Sequence, residues 1–275
     1  MKTLTGKELA AAIRAETAAR VADGPQPRLA VVVATADEAS LWYVRSIAKA
    51  ASGVGIACDL ADLGPGATAT GIRETLERLS ADPGVHGVML QTPLPPGASA
   101  QELAAAIDPA KDVDGANPLS LGRLAAGLPA FAPATAAAVM ALLDHYGVAL
   151  EGRRTVVVGR STVVGKPLAH LLLGRNATVT VCHSRTRDLA AVTSTAEVLV
   201  AAVGRAGLIG AEHVTPGAVV IDVGTNPTED GGLAGDVDSA AVADRAGALT
   251  PVPGGVGPVT TALLLRHTAQ AADLR

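Results

Sequence analysis

Short β-branched runs recur along this chain, and segments with helical spacing separate them. "RLAVVVAT" (28–35) has a strand pattern, a helix through 40–53 follows, and then comes "GIACDLADL". "GIRETLERLSAD" (71–82) has helical spacing and "VHGVMLQ" (85–91) is a strand, followed by the Pro-rich "TPLPPG" and the helix "AQELAAAI". The second half restarts the pattern. "AAAVMALLDHYG" is a helix, and "RRTVVVGRSTVVGKPLAHLLLG" is strand, loop and helix. "ATVTVCHS" is a strand, "DLAAVTSTA" a helix, "VLVAAVG" and "AVVIDVG" strands, and "PVTTALLLRHTAQAA" a final helix. Strands alternating with helices predict an α/β fold with a parallel sheet. No short repeat period is present, so two α/β units stand in tandem. Turn residues cluster in "NPLSLGRLAAGLPAFAPAT" (117–135), which places the seam there.

The composition supports packed aliphatic cores: 49% of the 275 residues are hydrophobic, but only one Trp, one Phe and two Tyr occur. A formal charge of −4 argues against a nucleic-acid footprint. Cys58 and Cys182 lack ligand-like spacing and are expected as buried thiols in a reducing compartment, with no metal site. Lys7, Glu8, Arg14 and Glu16 interrupt the first twenty residues, which therefore lack a signal-peptide core. No later stretch is long and clean enough to span a membrane, so a soluble cytoplasmic protein is expected.

"TVVVGRSTVVGKP" follows a strand and opens a helix. Gly159, Ser161 and Gly165 provide small residues where a dinucleotide fold turns tightly, with spacing G-x-S-x-x-x-G rather than G-x-G-x-x-G. In this context the loop predicts pyrophosphate docking at a helix N-terminus; the bland alternative is a Gly-rich turn without a ligand. An NAD site usually carries an acid at the end of the second strand, to hold the ribose hydroxyls. Here that end is "CHSRT", with Ser184 and Arg185, and Arg160 lies in the first loop. Such a pocket suits a 2′-phosphate and favours NADP over NAD.

Three further segments carry unusual chemistry. Gln91 ends a strand, where ligands of α/β proteins bind. Asp112 and Asp114 share the loop "KDVDGANP", and "TPVPGGVGPVTTALLL" is a Pro/Gly loop entering the last helix. Together with "LTGKELAAAIRAE", "GRSTVVGKP", "VTVCHSRT", "VIDVGTN" and "GDVD", in this order over nearly the whole chain, they resemble one family. It is the bifunctional methylenetetrahydrofolate dehydrogenase/methenyltetrahydrofolate cyclohydrolase family.

The resemblance implies hydride transfer from the methylene bridge of tetrahydrofolate to a nicotinamide cofactor, then hydrolysis of the methenyl product. It implies a folate-binding α/β domain (1–120 with 258–275) and a Rossmann-type NADP-binding domain (121–257). The last helix would cross back to the first domain, and a homodimer would form through the cofactor domains. Residue by residue, Tyr43 matches the tyrosine that stacks near the pterin. Gln91 matches the glutamine that bonds the catalytic lysine, and Asp114 the aspartate that pairs with the pterin's nitrogens. Pro251, Gly254 and Gly255 match the loop beside pterin and nicotinamide. Arg160 and Ser184 match the 2′-phosphate contacts, and Thr225, in "VIDVGTN", falls among the cofactor-binding positions.

The family's motif near Tyr43 is similar to Y-V-x-x-K-x-K. This chain has "YVRSIAK", so Ile47 takes the place of the catalytic lysine and Lys49 matches only the second, non-catalytic one. Further departures are Ala134, Ala136 and Ala138 for Cys, Pro and Gly, and "ATADEAS" for "VGDDPAS". Tyr43 and position 47 are one helical turn apart on one face. Without the lysine, Gln91 is expected to lack its charged partner. Hydrolysis, which needs water activated and a nitrogen protonated, should suffer most. Hydride transfer, which needs chiefly alignment, should persist. A dehydrogenase with weak or lost cyclohydrolase activity is expected. The alternatives are a relative repurposed for another folate one-carbon adduct and a non-catalytic folate- or NADP-binding protein.

Overall fold

The computed structural model describes residues 1–24, 26–228 and 231–274. The chain begins with β1 (Lys2–Thr3), α1 (Lys7–Ala22), β2 (Arg28–Val33), α2 (Glu38–Ser52) and β3 (Ala57–Asp62). Next come α3 (Ala69–Ala81), β4 (Gly87–Leu90), α4 (Ala100–Ala104), α5 (Pro118–Ala125) and α6 (Ala134–His145). Then follow β5 (Arg154–Val158), α7 (Gly165–Leu173), β6 (Thr178–Cys182), α8 (Leu189–Thr193), β7 (Val198–Ala201) and β8 (Val219–Asp222). The chain ends with β9 (Asn226–Pro227), β10 (Leu233–Ala234), α9 (Ser239–Val242), β11 (Ala248–Leu249) and α10 (Val256–Asp273).

Two compact units form. One comprises Met1–Ala10 and Thr135–Thr260, the other Ala11–Ala134 and Thr261–Arg275. The sequence placed residues 1–10 with the folate half. Their strand, β1, pairs with β11 of the 135–260 segment, and residues 1–10 group with that segment. Helix α10 starts in one unit and continues into the other. The stretch expected to be a turn-rich seam holds α5. Asn117 caps it by accepting from the Leu119 N–H at 2.7 Å, and Pro118 occupies the first turn, where a missing N–H costs nothing.

In the unit of residues 11–134 and 261–275, three parallel strands run in the order β3-β2-β4. Central β2 is buried on both faces, which explains a continuous run rather than an alternating one. Leu29, Val31 and Val33 pack with Val44, Ile47 and Ala51 of α2 and with Leu264 and Leu265 of α10. Ala30 and Val32 pack oppositely, with Ile72, Leu76 and Leu79 of α3.

The unit of residues 1–10 and 135–260 holds a parallel six-stranded sheet in the order β1-β11-β8-β7-β5-β6. The chain goes from β5 to β6 on one side, then crosses to β7 on the other. That reversal is a switch point, where doubly wound sheets bind ligands beyond the strand ends. A core of Val156, Val158, Leu199, Ala201 and Val220 packs against Ile209, Val214 and Val242. Among the described residues no helix is long and apolar enough to cross a membrane.

Candidate active site

The cofactor loop lies at this switch point. Gly159 has φ +134°, and a Cβ there would stand 2.2 Å from the Ala202 carbonyl oxygen after β7. A Cβ on Gly165 would stand 2.1 Å from the Gly159 carbonyl oxygen. Only glycine permits both approaches, so the loop wraps tightly into α7. The Ser161 hydroxyl accepts the Val164 N–H at 3.1 Å and the Gly165 N–H at 3.5 Å. These bonds fix the loop against the first turn of the nine-residue α7, whose N-terminal dipole favours anions.

Beyond β6, Ser184 and Arg185 are exposed, and Arg160 is exposed at the rim of the loop. The turn is pinned by the His183 N–H to Thr186 Oγ1 at 2.9 Å and the Arg185 N–H to His183 Nδ1 at 3.1 Å. Among the described residues no carboxylate pairs with Arg160 or Arg185. Thr225 is exposed after β8. Pro251, Gly254 and Gly255 occupy the turn into α10, where the Gly254 carbonyl accepts the Gly6 N–H at 2.8 Å. A dinucleotide phosphate fits this donor set: a glycine cradle, a helix N-terminus and two unpaired guanidinium groups.

The other unit brings Tyr43 and Asp114 together. Burial lifts the Asp114 carboxyl to about 7, and the nearby Asp112 adds to the shift. Burial also pushes the Tyr43 hydroxyl up to about 12. The Asp114 charge contributes to that shift, and a hydrogen bond with Thr261 opposes it. Asp114 is held from several directions. Asp112, fully buried, accepts the Ala116 N–H at 2.9 Å and the Asn117 N–H at 2.8 Å. His267 on α10 bonds the Val113 carbonyl at 2.9 Å, and its ring lies 5.0 Å from that of Phe131. The Asp114 carbonyl accepts the Ala134 N–H at 3.3 Å. The Asp114 carboxylate itself, part-exposed, accepts no hydrogen bond from the described residues.

Gln91 Nε2 donates to the Thr92 carbonyl at 2.5 Å. The same carbonyl accepts from Ser40 Oγ at 3.2 Å, which ties the strand end to the start of α2. Ile47 is fully buried, on the Val44–Ile47–Ala51 stripe against β2. Tyr43 packs at the edge of the same cluster, whereas Lys49 is exposed. The sequence did not single out Ser40, Thr261 or His267. No motif marks them, because they act through contacts distant in the chain. Cys182 is buried and Cys58 only partly so; neither is bridged.

The fold and these two sites define a two-domain α/β protein with a dinucleotide-type loop in one unit and an acceptor carboxylate in the other. The chain belongs to the tetrahydrofolate dehydrogenase/cyclohydrolase family. That family's catalytic-domain model matches residues 4–114, and its NAD(P)-binding-domain model matches residues 133–275. "Bifunctional protein FolD 1" of Saccharopolyspora erythraea is 68% identical, over 99% of this chain and 94% of the relative. The crystal structure of the bifunctional enzyme FolD from Campylobacter jejuni superposes with a TM-score of 0.95 at 39% identity, covering 100% of this chain and 99% of that one. The Trypanosoma brucei dehydrogenase-cyclohydrolase, solved with NADP and an inhibitor, gives a TM-score of 0.93 at 36% identity, covering 99% of this chain and 97% of that one.

Proposed function

We propose that this protein oxidises methylene-tetrahydrofolate to methenyl-tetrahydrofolate with NADP, and that its cyclohydrolase activity is weak or lost. The observation that carries the reading is the contrast between Asp114 and Ile47. A carboxylate with free acceptor positions suits the amino and ring N–H groups of a pterin. Position 47, where the family resemblance puts a lysine, is a buried isoleucine. The names of similar proteins speak for both activities; the reduced second one is inferred from Ile47 alone.

When bound, NADP supplies the hydride acceptor. Arg160, Ser184 and Arg185 would hold its 2′-phosphate, and Gly159, Ser161 and Gly165 would seat its pyrophosphate. Thr225, Pro251, Gly254 and Gly255 are assigned to the remaining cofactor and substrate contacts. Asp114 would orient the pterin, Tyr43 would cover it, and Gln91 would brace the strand end. Hydride transfer needs chiefly alignment rather than a proton-moving group. Methenyl hydrolysis also needs a group that moves a proton, worth about 10²–10⁴-fold, and isoleucine has none. A homodimer through the cofactor unit fits the open edge of β6, where Thr178, Thr180 and Val181 are exposed. A cytoplasmic setting fits two unbridged thiols.

The test is a pair of assays on the wild-type protein. Methylene-tetrahydrofolate-dependent reduction of NADP should proceed, while methenyl-tetrahydrofolate hydrolysis should stay near the buffer rate. Robust hydrolysis overturns the second half of the reading. Folate binding without NADP reduction overturns the first.

A further inference from the structure

The "GDVD" motif contributes none of the groups assigned above, yet it contains a carboxylate with every acceptor position filled. Asp236 is fully buried. Its Oδ2 accepts the N–H groups of Val203 at 2.6 Å and Gly204 at 3.0 Å. Its Oδ1 accepts the Arg205 N–H at 2.9 Å and Nδ2 of Asn226, also at 2.9 Å. One side chain therefore grips two loops, the turn after β7 and the segment after β8. A second aspartate holds the first. Asp222 accepts the N–H of Asp236 at 2.9 Å, of Val237 at 3.0 Å and of Gly224 at 2.9 Å. A Cβ on Gly235 would stand 1.8 Å from Asp222 Oδ2, so glycine is needed for that approach.

The place of these loops gives the clamp a role. Along the sheet, β6 carries Ser184 and Arg185, β5 carries the glycine loop, and β7 and β8 follow on the far side. With the 2′-phosphate over the end of β6 and the pyrophosphate at β5, a dinucleotide must extend its nicotinamide toward β7 and β8. Neighbouring strands are about 4.8 Å apart, so the nicotinamide half reaches the two loops.

We propose that Asp236 is a positioning residue for hydride transfer, fixing the 203–205 and 224–226 loops on which the nicotinamide end of NADP rests. The proposal rests on the cofactor reading given above. Asparagine at 236 would turn an amide donor toward N–H donors on one of the two loops. The adenosine anchors, Arg160 and Ser184, would be untouched.

The experiment uses the full chain with Asp236→Asn and the milder Asn226→Ala, which removes one of the four donors. For Asp236→Asn the oxidation kcat should fall about 100-fold while the Kd for NADP changes less than about threefold, the split expected when orientation rather than binding is lost. The deuterium isotope effect from a dideuterated methylene bridge should rise as transfer becomes limiting. Asn226→Ala should show the same pattern at about tenfold. Amide hydrogen exchange supplies a readout independent of turnover. NADP should protect 203–205 and 224–226 in the wild type and fail to do so in Asp236→Asn. A kcat loss that merely tracks the folded fraction, with an unchanged isotope effect, overturns the proposal. So does unchanged loop protection. If Asp236→Asn does not fold, Asn226→Ala decides by the same measures. If the wild type binds NADP but oxidises no methylene-tetrahydrofolate, the functional reading fails, and loop protection alone decides whether Asp236 positions the cofactor.

Discussion

Each unit of this protein has a pair of neighbouring aspartates, and the pairs are put to different uses. Asp222 and Asp236 in the cofactor unit are both saturated by hydrogen-bond donors, nearly all of them backbone N–H groups. In the other unit Asp112 accepts one backbone N–H on each carboxylate oxygen, but its neighbour Asp114 is bare of donors among the described residues. Burial, with the nearby Asp112, lifts the Asp114 carboxyl to about 7. Filled carboxylates build loops, whereas an empty one waits for donors from a ligand.

The largest break in this comparison should come from Asp114→Asn. An amide offers the pterin edge a donor where it needs an acceptor, and folate affinity should fall about 100-fold or more, with NADP affinity unchanged. The charge state adds a pH test. In the wild type, folate affinity should climb as pH rises through about 7, because the carboxylate form is the acceptor. Asparagine should abolish that slope. Stability runs the opposite way. The folded value lies above the unfolded one of 3.8, so the wild type loses stability as pH rises from about 4 to about 7. Thermal melts should show Asp114→Asn gaining on the wild type at pH 8 relative to pH 5. Equal melting shifts at the two pH values and unaltered folate titrations would reduce Asp114 to a turn residue.

Ile47→Lys sharpens the contrast by adding a cation one helical turn from Tyr43. Ile47 is fully buried among Leu29, Val31, Val44 and Leu264, so the ammonium must reach Tyr43, Gln91 or Asp114 to find partners. Methenyl-tetrahydrofolate hydrolysis should rise at least about tenfold, near the low end of what a positioned proton-transfer group contributes, and the melting temperature should fall. A folded but silent variant would mean that the pocket serves another substrate. In the cofactor unit, Arg160→Ala should weaken NADP about tenfold, the scale of one charge-assisted contact, and leave NAD unaffected. Equal losses for the two cofactors would detach Arg160 from the 2′-phosphate.

Much of this was legible in the chain. The run 28–33 and the Gly159–Gly165 loop showed themselves because local pattern and tertiary use agree. Asp114 and Tyr43 came from motif resemblance, and the structure brings them together. Three features were hidden. Pro118 among turn residues looked like a break, yet a first-turn proline behind an Asn cap starts a helix. The two-residue β1 is too short to carry a period, so its membership of the cofactor sheet is set by pairing with β11. The tie from the Gln91 amide to the next residue's carbonyl is one that no side-chain pattern announces.

The smallest expected effect is that of Tyr43→Phe, and it probes whether Tyr43 covers the pterin or moves protons. Burial and the Asp114 charge hold its hydroxyl near 12, so at neutral pH it stays protonated and is a poor base. What phenylalanine removes is the hydrogen bond with Thr261, worth about 1 kcal/mol in a typical case. The ring remains, along with its packing at the edge of the Leu29–Ile47 cluster. Stability should drop by about 1 kcal/mol, and the folate KM should rise only a few-fold, about the factor that the same energy implies. The oxidation kcat should stay within about twofold, because removing uniform binding leaves the chemical step alone. A kcat loss on the order of 100-fold would instead assign Tyr43 a proton in the reaction, as expected of a positioned acid or base. The empty carboxylate beside it would then be tuning a catalytic group as well as waiting for a ligand, and the division between filled and empty aspartates would no longer separate structure from function.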